Sequence, residues 1–156
     1  MAQDASAAAS PPPWHASFPT PQHTAPLISR DEVLSNLLSP ELLLVDVRRT
    51  DYEGGIIKGS LNLPAHSFYV NKGVLYDLCK RAGVKKVAFY CGASNGRGPR
   101  CAGWFADYIT EKGDDSIQSL TLEGGIKGWV KAEGKFTQNV DGYEPEYWRQ
   151  FSEGAK

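Results

Sequence analysis

The stretch that decides the fold is VAFYCGASNGRGPR, residues 87–100. Its first four residues are β-branched, small or aromatic, which is typical of a buried strand. Three glycines then interrupt the pattern, and Pro99 suits the first turn of a helix, where its missing N–H needs no partner. Apolar residues follow at helical spacing at Ala102, Phe105, Ala106 and Ile109. The stretch therefore predicts a strand, a tight loop and a helix that Gly113 ends.

Cys91 stands at the point where the predicted strand gives way to this loop. Five residues separate it from Arg97, namely Gly92, Ala93, Ser94, Asn95 and Gly96. A short loop of this kind can turn its N–H groups inward, and a helix N-terminus behind it adds positive potential, which favours a thiolate. Arg97 can hold two oxygens of an anion in a fork. We therefore predict an oxyanion site in which Cys91 is the nucleophile, whereas an inert buried cysteine is the alternative.

Length and composition restrict the class of protein. The 156 residues suit one domain, with 41% hydrophobic and 22% charged residues. A net charge of -1 gives no electrostatic basis for binding nucleic acid or an anionic membrane, and no apolar run reaches the length of a membrane span. We therefore expect neither nucleic acid nor membrane as a partner, while the oligomeric state stays open.

Cysteine and histidine usage indicates a reducing compartment and no metal. The three cysteines are scattered, so they do not form a disulfide framework. The three histidines are not paired at metal-ligand spacing, and we predict no metal site and no bound cofactor. Because no Lys or Arg precedes Arg30, we expect neither a secretory signal nor a transit peptide. This predicts a cytoplasmic protein, with the nucleus also open.

Strand and helix patterns alternate along the rest of the chain. A capping box, Ser29 to Glu32, predicts a helix that Pro40 ends. Apolar runs predict strands at 42–47, 61–63 and 117–122, and Val74, Leu75, Leu78 and Cys79 suit one face of a helix. This alternation predicts an α/β fold with a doubly wound parallel sheet. The active loops of such sheets lie beyond the carboxyl ends of the strands, where Cys91 is placed.

Asp46 and Arg48 bracket the end of the strand predicted at 42–47. We interpret them chiefly as a structural ion pair that supports the site, and acid catalysis by Asp46 is the alternative. Arg100, three residues beyond Arg97, is a further supporting candidate.

Three segments together resemble a rhodanese-superfamily domain. The segment LVDVR (44–48) running to YEGGIIKGSLNL (52–63) resembles its first half, the Cys91 loop resembles its active loop, and LEGGIKGW (122–129) resembles its closing strand and helix. The resemblance implies a rhodanese-like α/β fold, with a central parallel five-stranded sheet flanked by helices. It implies a catalytic domain at 27–135. We expect residues 1–26 to be a disordered or extended arm, and the aromatic tail at 136–156 to pack on the domain.

The length of the loop favours one branch of that superfamily. Sulfurtransferases usually have one residue fewer, whereas the loop here is similar to those of cell-cycle dual-specificity phosphatases and eukaryotic arsenate reductases. The ending GYEPEYW (142–148) resembles that of small fungal phosphatases of the same group. The phosphatases usually have histidine where this chain has Tyr90, and those that activate cyclin-dependent kinases have a second cysteine at the position of Val47. No protective disulfide is therefore expected.

The resemblance implies a cysteine-dependent phosphatase as the first hypothesis, with a phosphorylated protein or a small oxyanion as its substrate. Arsenate reduction at the same cysteine, completed by glutathione or glutaredoxin, is the nearest alternative. Thiosulfate sulfurtransfer is another, and a module that binds phosphorylated partners without turnover belongs to a different class.

Overall fold

A five-stranded parallel sheet forms the centre of the computed structural model, which describes residues 11–154. The strands of this sheet are β1 (Leu27–Ile28), β2 (Leu42–Asp46), β4 (Leu61–Asn62), β5 (Lys86–Tyr90) and β6 (Gln118–Leu122). Their order is β1-β6-β5-β2-β4, and every neighbouring pair is parallel. Two further strands, β3 (Ile56–Ile57) and β7 (Val140–Asp141), pair antiparallel beside it.

Six helices cover the two faces of the sheet within the described residues. They are α1 (Arg30–Ser35), α2 (Ala65–Ala82), α3 (Arg97–Glu111), α4 (Gly125–Lys131), α5 (Lys135–Gln138) and α6 (Pro145–Gly154). The residues of α2 and α3 share one core cluster, and those of α1, α4 and α6 share the other. The predicted α/β fold, with a central parallel five-stranded sheet flanked by helices, is confirmed. No described helix is long and apolar enough to cross a membrane.

The alternation of side chains along β5 explains the two cores. Val87 and Phe89 pack in the cluster with α2 and α3, whereas Ala88 and Tyr90 pack in the opposite cluster. All four are 0% exposed, and burial of one such large apolar side chain contributes roughly 1.5–3 kcal/mol. Because both faces are covered, β5 reads as a continuous apolar run, as expected for a central parallel strand.

Two helix predictions need correction. Helix α1 begins after the predicted cap, with the Ser29 hydroxyl accepting from the Glu32 N–H at 3.1 Å, but it ends at Ser35 and not at Pro40. On α2, Leu75 and Cys79 are buried as predicted, whereas Val74 and Leu78 are 61% and 50% exposed. The buried side of α2 carries Ala65, Phe68, Leu75, Tyr76 and Cys79. At about 100° per residue, Leu78 and Val74 lie roughly 110° and 150° from the centre of that side.

Both terminal segments pack on the domain where the structure describes them. Trp14 and Phe18 make edge-to-face contacts with Trp104, at centroid distances of 5.9 and 5.8 Å. At the other end, the indole of Trp148 is buried and donates a hydrogen bond to the Gly54 carbonyl at 2.8 Å. Disorder was predicted for the start of the arm, and its residues 1–10 lie outside the described residues.

Candidate functional site

Cys91 follows the last residue of β5 and lies beneath the first turn of α3. Its sulfur accepts a hydrogen bond from the Gly98 N–H at 3.3 Å, and its own N–H donates to the Ser94 hydroxyl at 3.4 Å. A helix N–H that donates to sulfur is the arrangement that stabilises negative charge there. The side chain is only 3% exposed, although it lines the cavity described below. Cys91, the predicted nucleophile, thus lies at the bottom of a recess.

The loop after Cys91 is braced from below by α4. The Ile126 N–H donates to the Cys91 carbonyl at 3.1 Å, and the Lys127 N–H donates to the Gly92 carbonyl at 2.9 Å. Gly125 is essential for this approach, because it has a φ of +60° and a Cβ at its position would lie 2.5 Å from the Gly92 carbonyl oxygen. The closing motif of the sequence therefore fixes the backbone on which the nucleophile sits.

Ser94 gives the same loop its sharp turn. Its φ of 58° is in the left-handed region, which is uncommon for a residue other than glycine and costs of order 1 kcal/mol or more. Gly96 then leads into α3, where Arg97 is the first residue. The helix begins two residues before Pro99, which occupies its first turn as predicted.

Arg97 holds a carboxylate in its fork. Its two terminal nitrogens donate to the two oxygens of Asp51, at 2.8 and 2.6 Å. This is the bidentate geometry that the sequence predicted for an oxyanion, with a side chain of the protein in the place of the anion. The pair is part-exposed, with 25% of the Arg97 side chain and 44% of the Asp51 side chain accessible.

The pairing changes the acidity of both partners. The hydrogen bonds from Arg97 hold the pKa of the Asp51 carboxyl well below its usual range. In the same way, the hydrogen bonds to Asp51 raise the pKa of the Arg97 guanidinium. Asp51 is therefore an ionised carboxylate and not a proton donor in this geometry.

Asp46 and Arg48 form the structural ion pair that we preferred from the sequence. The closest contact joins Arg48 Nη2 and Asp46 Oδ2 at 2.7 Å, and both side chains are buried. The remaining capacity of the guanidinium is used on the carbonyls of Glu53 and Gly55, at 2.9 and 2.8 Å. Arg48 therefore fixes the segment that carries Asp51, and it acts on the site through that segment.

Tyr90 does not enter the site, although it precedes Cys91. Its side chain belongs to the core cluster on the opposite face of the sheet from Cys91. There its hydroxyl donates to Ser60 Oγ at 2.8 Å and accepts from the Ile57 N–H at 3.2 Å. Burial raises the pKa of Tyr90 well above its usual value. Tyr90, which stands where the phosphatases usually have histidine, therefore packs in the core.

A cavity of about 620 Å³ opens above Cys91. Of the predicted residues, Cys91, Gly92, Ala93, Asn95, Gly96, Arg97 and Arg48 line it, whereas Ser94, Asp46 and Arg100 do not. Sequence reasoning missed the other lining residues, which are Asp51, Lys127 and the aromatic residues Trp14, Tyr147, Trp148 and Phe151. The many aromatic residues of the C-terminal tail predict that it packs on the domain. The local sequence does not show that they lie at this edge of the sheet.

Metal ligands are not grouped at this site. Among the described side chains, those of residues 11–151, no three His, Cys, Asp or Glu groups are placed to hold an ion together.

Comparison with known proteins assigns the family. The sequence profile of the rhodanese-like domain matches residues 29–132, which is two thirds of the chain. The chain belongs to the rhodanese-like domain family. This match contains β2, the Cys91 loop and α4, so it covers the segments on which the resemblance was recognised.

Relatives of this rhodanese-like chain carry two kinds of name. Arsenate reductase 2.2 of Oryza sativa subsp. japonica is 32% identical over 106 residues, which cover 65% of this chain and 79% of the relative. The dual specificity phosphatase Cdc25 of Arabidopsis thaliana is 35% identical over 100 residues, or 62% of this chain and 66% of the relative. The solved As-Sb reductase of Leishmania major superposes with a TM-score of 0.67 at 20% identity, covering 85% of this chain and 99% of the other, which supports the fold.

Proposed function

We propose that this protein is a cysteine-dependent phosphatase that hydrolyses phosphate monoesters. The observation that carries the proposal is the sulfur of Cys91, which receives an N–H from the first turn of α3 at 3.3 Å and sits below Arg97 in a recess. A nucleophile in this setting can attack phosphorus while the loop N–H groups and the guanidinium stabilise the equatorial oxygens.

The reaction would proceed in two displacements. The Cys91 thiolate attacks phosphorus, a sulfur–phosphorus bond forms, and the bond between phosphorus and the ester oxygen breaks. Because Asp51 is ionised, the leaving oxygen takes its proton from solvent. Water then attacks the thiophosphate, the sulfur–phosphorus bond breaks, and inorganic phosphate and the thiolate are released. No cofactor takes part in this scheme.

The volume of the cavity favours an ester over a bare oxyanion. A space of about 620 Å³ with Trp14, Tyr147 and Phe151 along its wall leaves room for an organic group beyond the phosphate. A phosphorylated protein side chain is therefore the substrate class we propose, and the cytoplasm or nucleus is the compartment that would supply it.

Arsenate reduction is the second candidate. It is favoured by the similarity to the rice arsenate reductase over 79% of that relative. In this alternative Cys91 attacks arsenate, and glutathione or glutaredoxin supplies the electrons that reduce the arsenic. The same cysteine and the same loop would carry both reactions.

Parallel assays of one preparation test the proposal. We expect hydrolysis of p-nitrophenyl phosphate to exceed both arsenate reduction with glutathione and glutaredoxin, and sulfur transfer from thiosulfate to cyanide. Cys91→Ser should abolish turnover, whereas Cys79→Ala, at a cysteine buried far along α2, should retain it. Arsenate reduction without ester hydrolysis would replace the proposal with the second candidate. Phosphate binding without any turnover by the wild-type protein would indicate a binding module.

A further inference from the structure

Three cationic side chains line the cavity above Cys91, and two of them are already neutralised. Arg48 is paired with Asp46, at 2.7 Å, and is almost fully buried. Arg97 is paired through both of its terminal nitrogens with Asp51. An anion that enters the cavity therefore meets neither guanidinium with its donors available.

Lys127 is the third cation, and it has a different environment. It lies at the third position of α4, where its N–H donates to the Gly92 carbonyl, and its side chain passes close to Gly92. Its ammonium nitrogen is 4.4 Å from the centroid of the Phe151 ring on α6. Among the side chains of residues 11–151, no carboxylate lies within ion-pair distance of this ammonium.

The balance of charge explains why this cation matters. Once the two arginine–carboxylate pairs cancel, the charges left on the cavity wall are the Lys127 ammonium and the thiolate that the proposed reaction requires of Cys91. Without Lys127 a dianion would enter a recess of net negative charge, and Coulomb repulsion would oppose binding. The contact with the Phe151 ring holds the ammonium at the rim, because a cation is attracted to the face of an aromatic ring.

We propose that Lys127 is a substrate-binding residue that receives the oxyanion at the rim of the cavity, before Arg97 exchanges Asp51 for it. This assignment rests on the proposed function for the identity of the substrate, but the binding step itself requires only an oxyanion. The expected ligand is a tetrahedral dianion, either free or as the phosphate group of an ester.

The chain offers a matched control one helical turn further on. Lys131 is also an exposed lysine of α4, and it does not line the cavity above Cys91. Lys127→Ala and Lys131→Ala therefore remove the same charge from the same helix, and they differ in whether that charge faces the nucleophile.

Calorimetry with tungstate, in the Cys91→Ser background, measures binding without turnover. We expect Lys127→Ala and Lys127→Gln to weaken tungstate binding about tenfold at low salt, and Lys127→Arg to remain within about threefold of the parent. Lys131→Ala should leave the dissociation constant unchanged. With the active enzyme and p-nitrophenyl phosphate, Lys127→Ala should raise KM by a similar factor while kcat changes less than about twofold.

The possible outcomes distinguish the role of Lys127 from the proposed phosphatase activity. Unchanged tungstate binding in Lys127→Ala, an equal loss in Lys131→Ala, or no tungstate binding by the Cys91→Ser protein would overturn the role of Lys127. A wild-type protein that binds tungstate through Lys127 but hydrolyses no phosphate ester would leave this role intact and remove the proposed phosphatase activity.

Discussion

Replacement of Asp51 by asparagine tests whether the carboxylate competes with substrate for Arg97. The amide has the shape of the carboxylate but no charge, so the fork of Arg97 should be released to an incoming oxyanion. The ion pair is bidentate and part-exposed, with 44% of the Asp51 side chain accessible, so solvent screening reduces its worth to about 1 kcal/mol. In Asp51→Asn an oxyanion no longer has to displace this ion pair from Arg97. A gain of about 1 kcal/mol in binding free energy corresponds to roughly fivefold tighter binding.

Competitive inhibition by inorganic phosphate is the assay. We expect the inhibition constant of Asp51→Asn to be about fivefold lower than that of the wild type. Because the pKa of Asp51 is held well below its usual range, the carboxylate stays ionised at neutral pH, and the ratio should be constant between about pH 6 and 8. An unchanged or higher inhibition constant would refute the competition.

The same pair makes a prediction for stability. A carboxyl whose pKa is lowered in the folded state stabilises the protein above its unfolded pKa, near 3.8, and loses that contribution as the pH falls further. The difference in the free energy of unfolding between the wild type and Asp51→Asn should therefore shrink below about pH 4. Denaturant titrations at pH 7 and pH 3 measure it, and a difference that is the same at both pH values would contradict the pairing.

Three other predictions concern the packing around the nucleophile. Brief iodoacetamide treatment should label Cys91 first, because burial raises the pKa of Cys79 to about 11 and that of Cys101 further. Phosphate in the cavity should protect Cys91 from this labelling. Mass mapping that finds Cys79 labelled first would count against the site. Tyr90→Phe removes two buried hydrogen bonds and should lower the free energy of unfolding by about 1–3 kcal/mol with little change in kcat, as denaturant titration and steady-state kinetics would measure. Gly125→Ala should lower kcat at least tenfold, since the new Cβ would push the Gly92 carbonyl and with it the nucleophile loop; a folded variant of normal activity would show that the loop tolerates the shift.

Local residue patterns account for the structure around Cys91. The strand, loop and helix of residues 86–111 depend on neighbours in the chain: a short apolar run, glycines that end it and an apolar face at helical spacing. The spacing of five residues between Cys91 and Arg97 is likewise a local property, so both could be proposed as functional residues. The buried ion pair of Asp46 and Arg48 could be predicted for the same reason, because the two residues lie close together in the chain at the end of one strand.

Long-range packing sets which other groups meet at Cys91. Asp51 is 46 positions from Arg97 in the chain, and it reaches the site because β2 pairs with β5 in the register that sets Asp46 beside Tyr90. Lys127 comes to the rim because α4 follows β6, the neighbour of β5 on its other side. Such contacts depend on strand order and register, which are fixed by packing on both faces of the sheet and leave no periodic signal in the residues concerned. The sequence therefore pointed to Cys91 and Arg97 as candidates, whereas the fold supplied the Asp51 carboxylate that pairs with Arg97 and placed Lys127 on the wall of the same cavity.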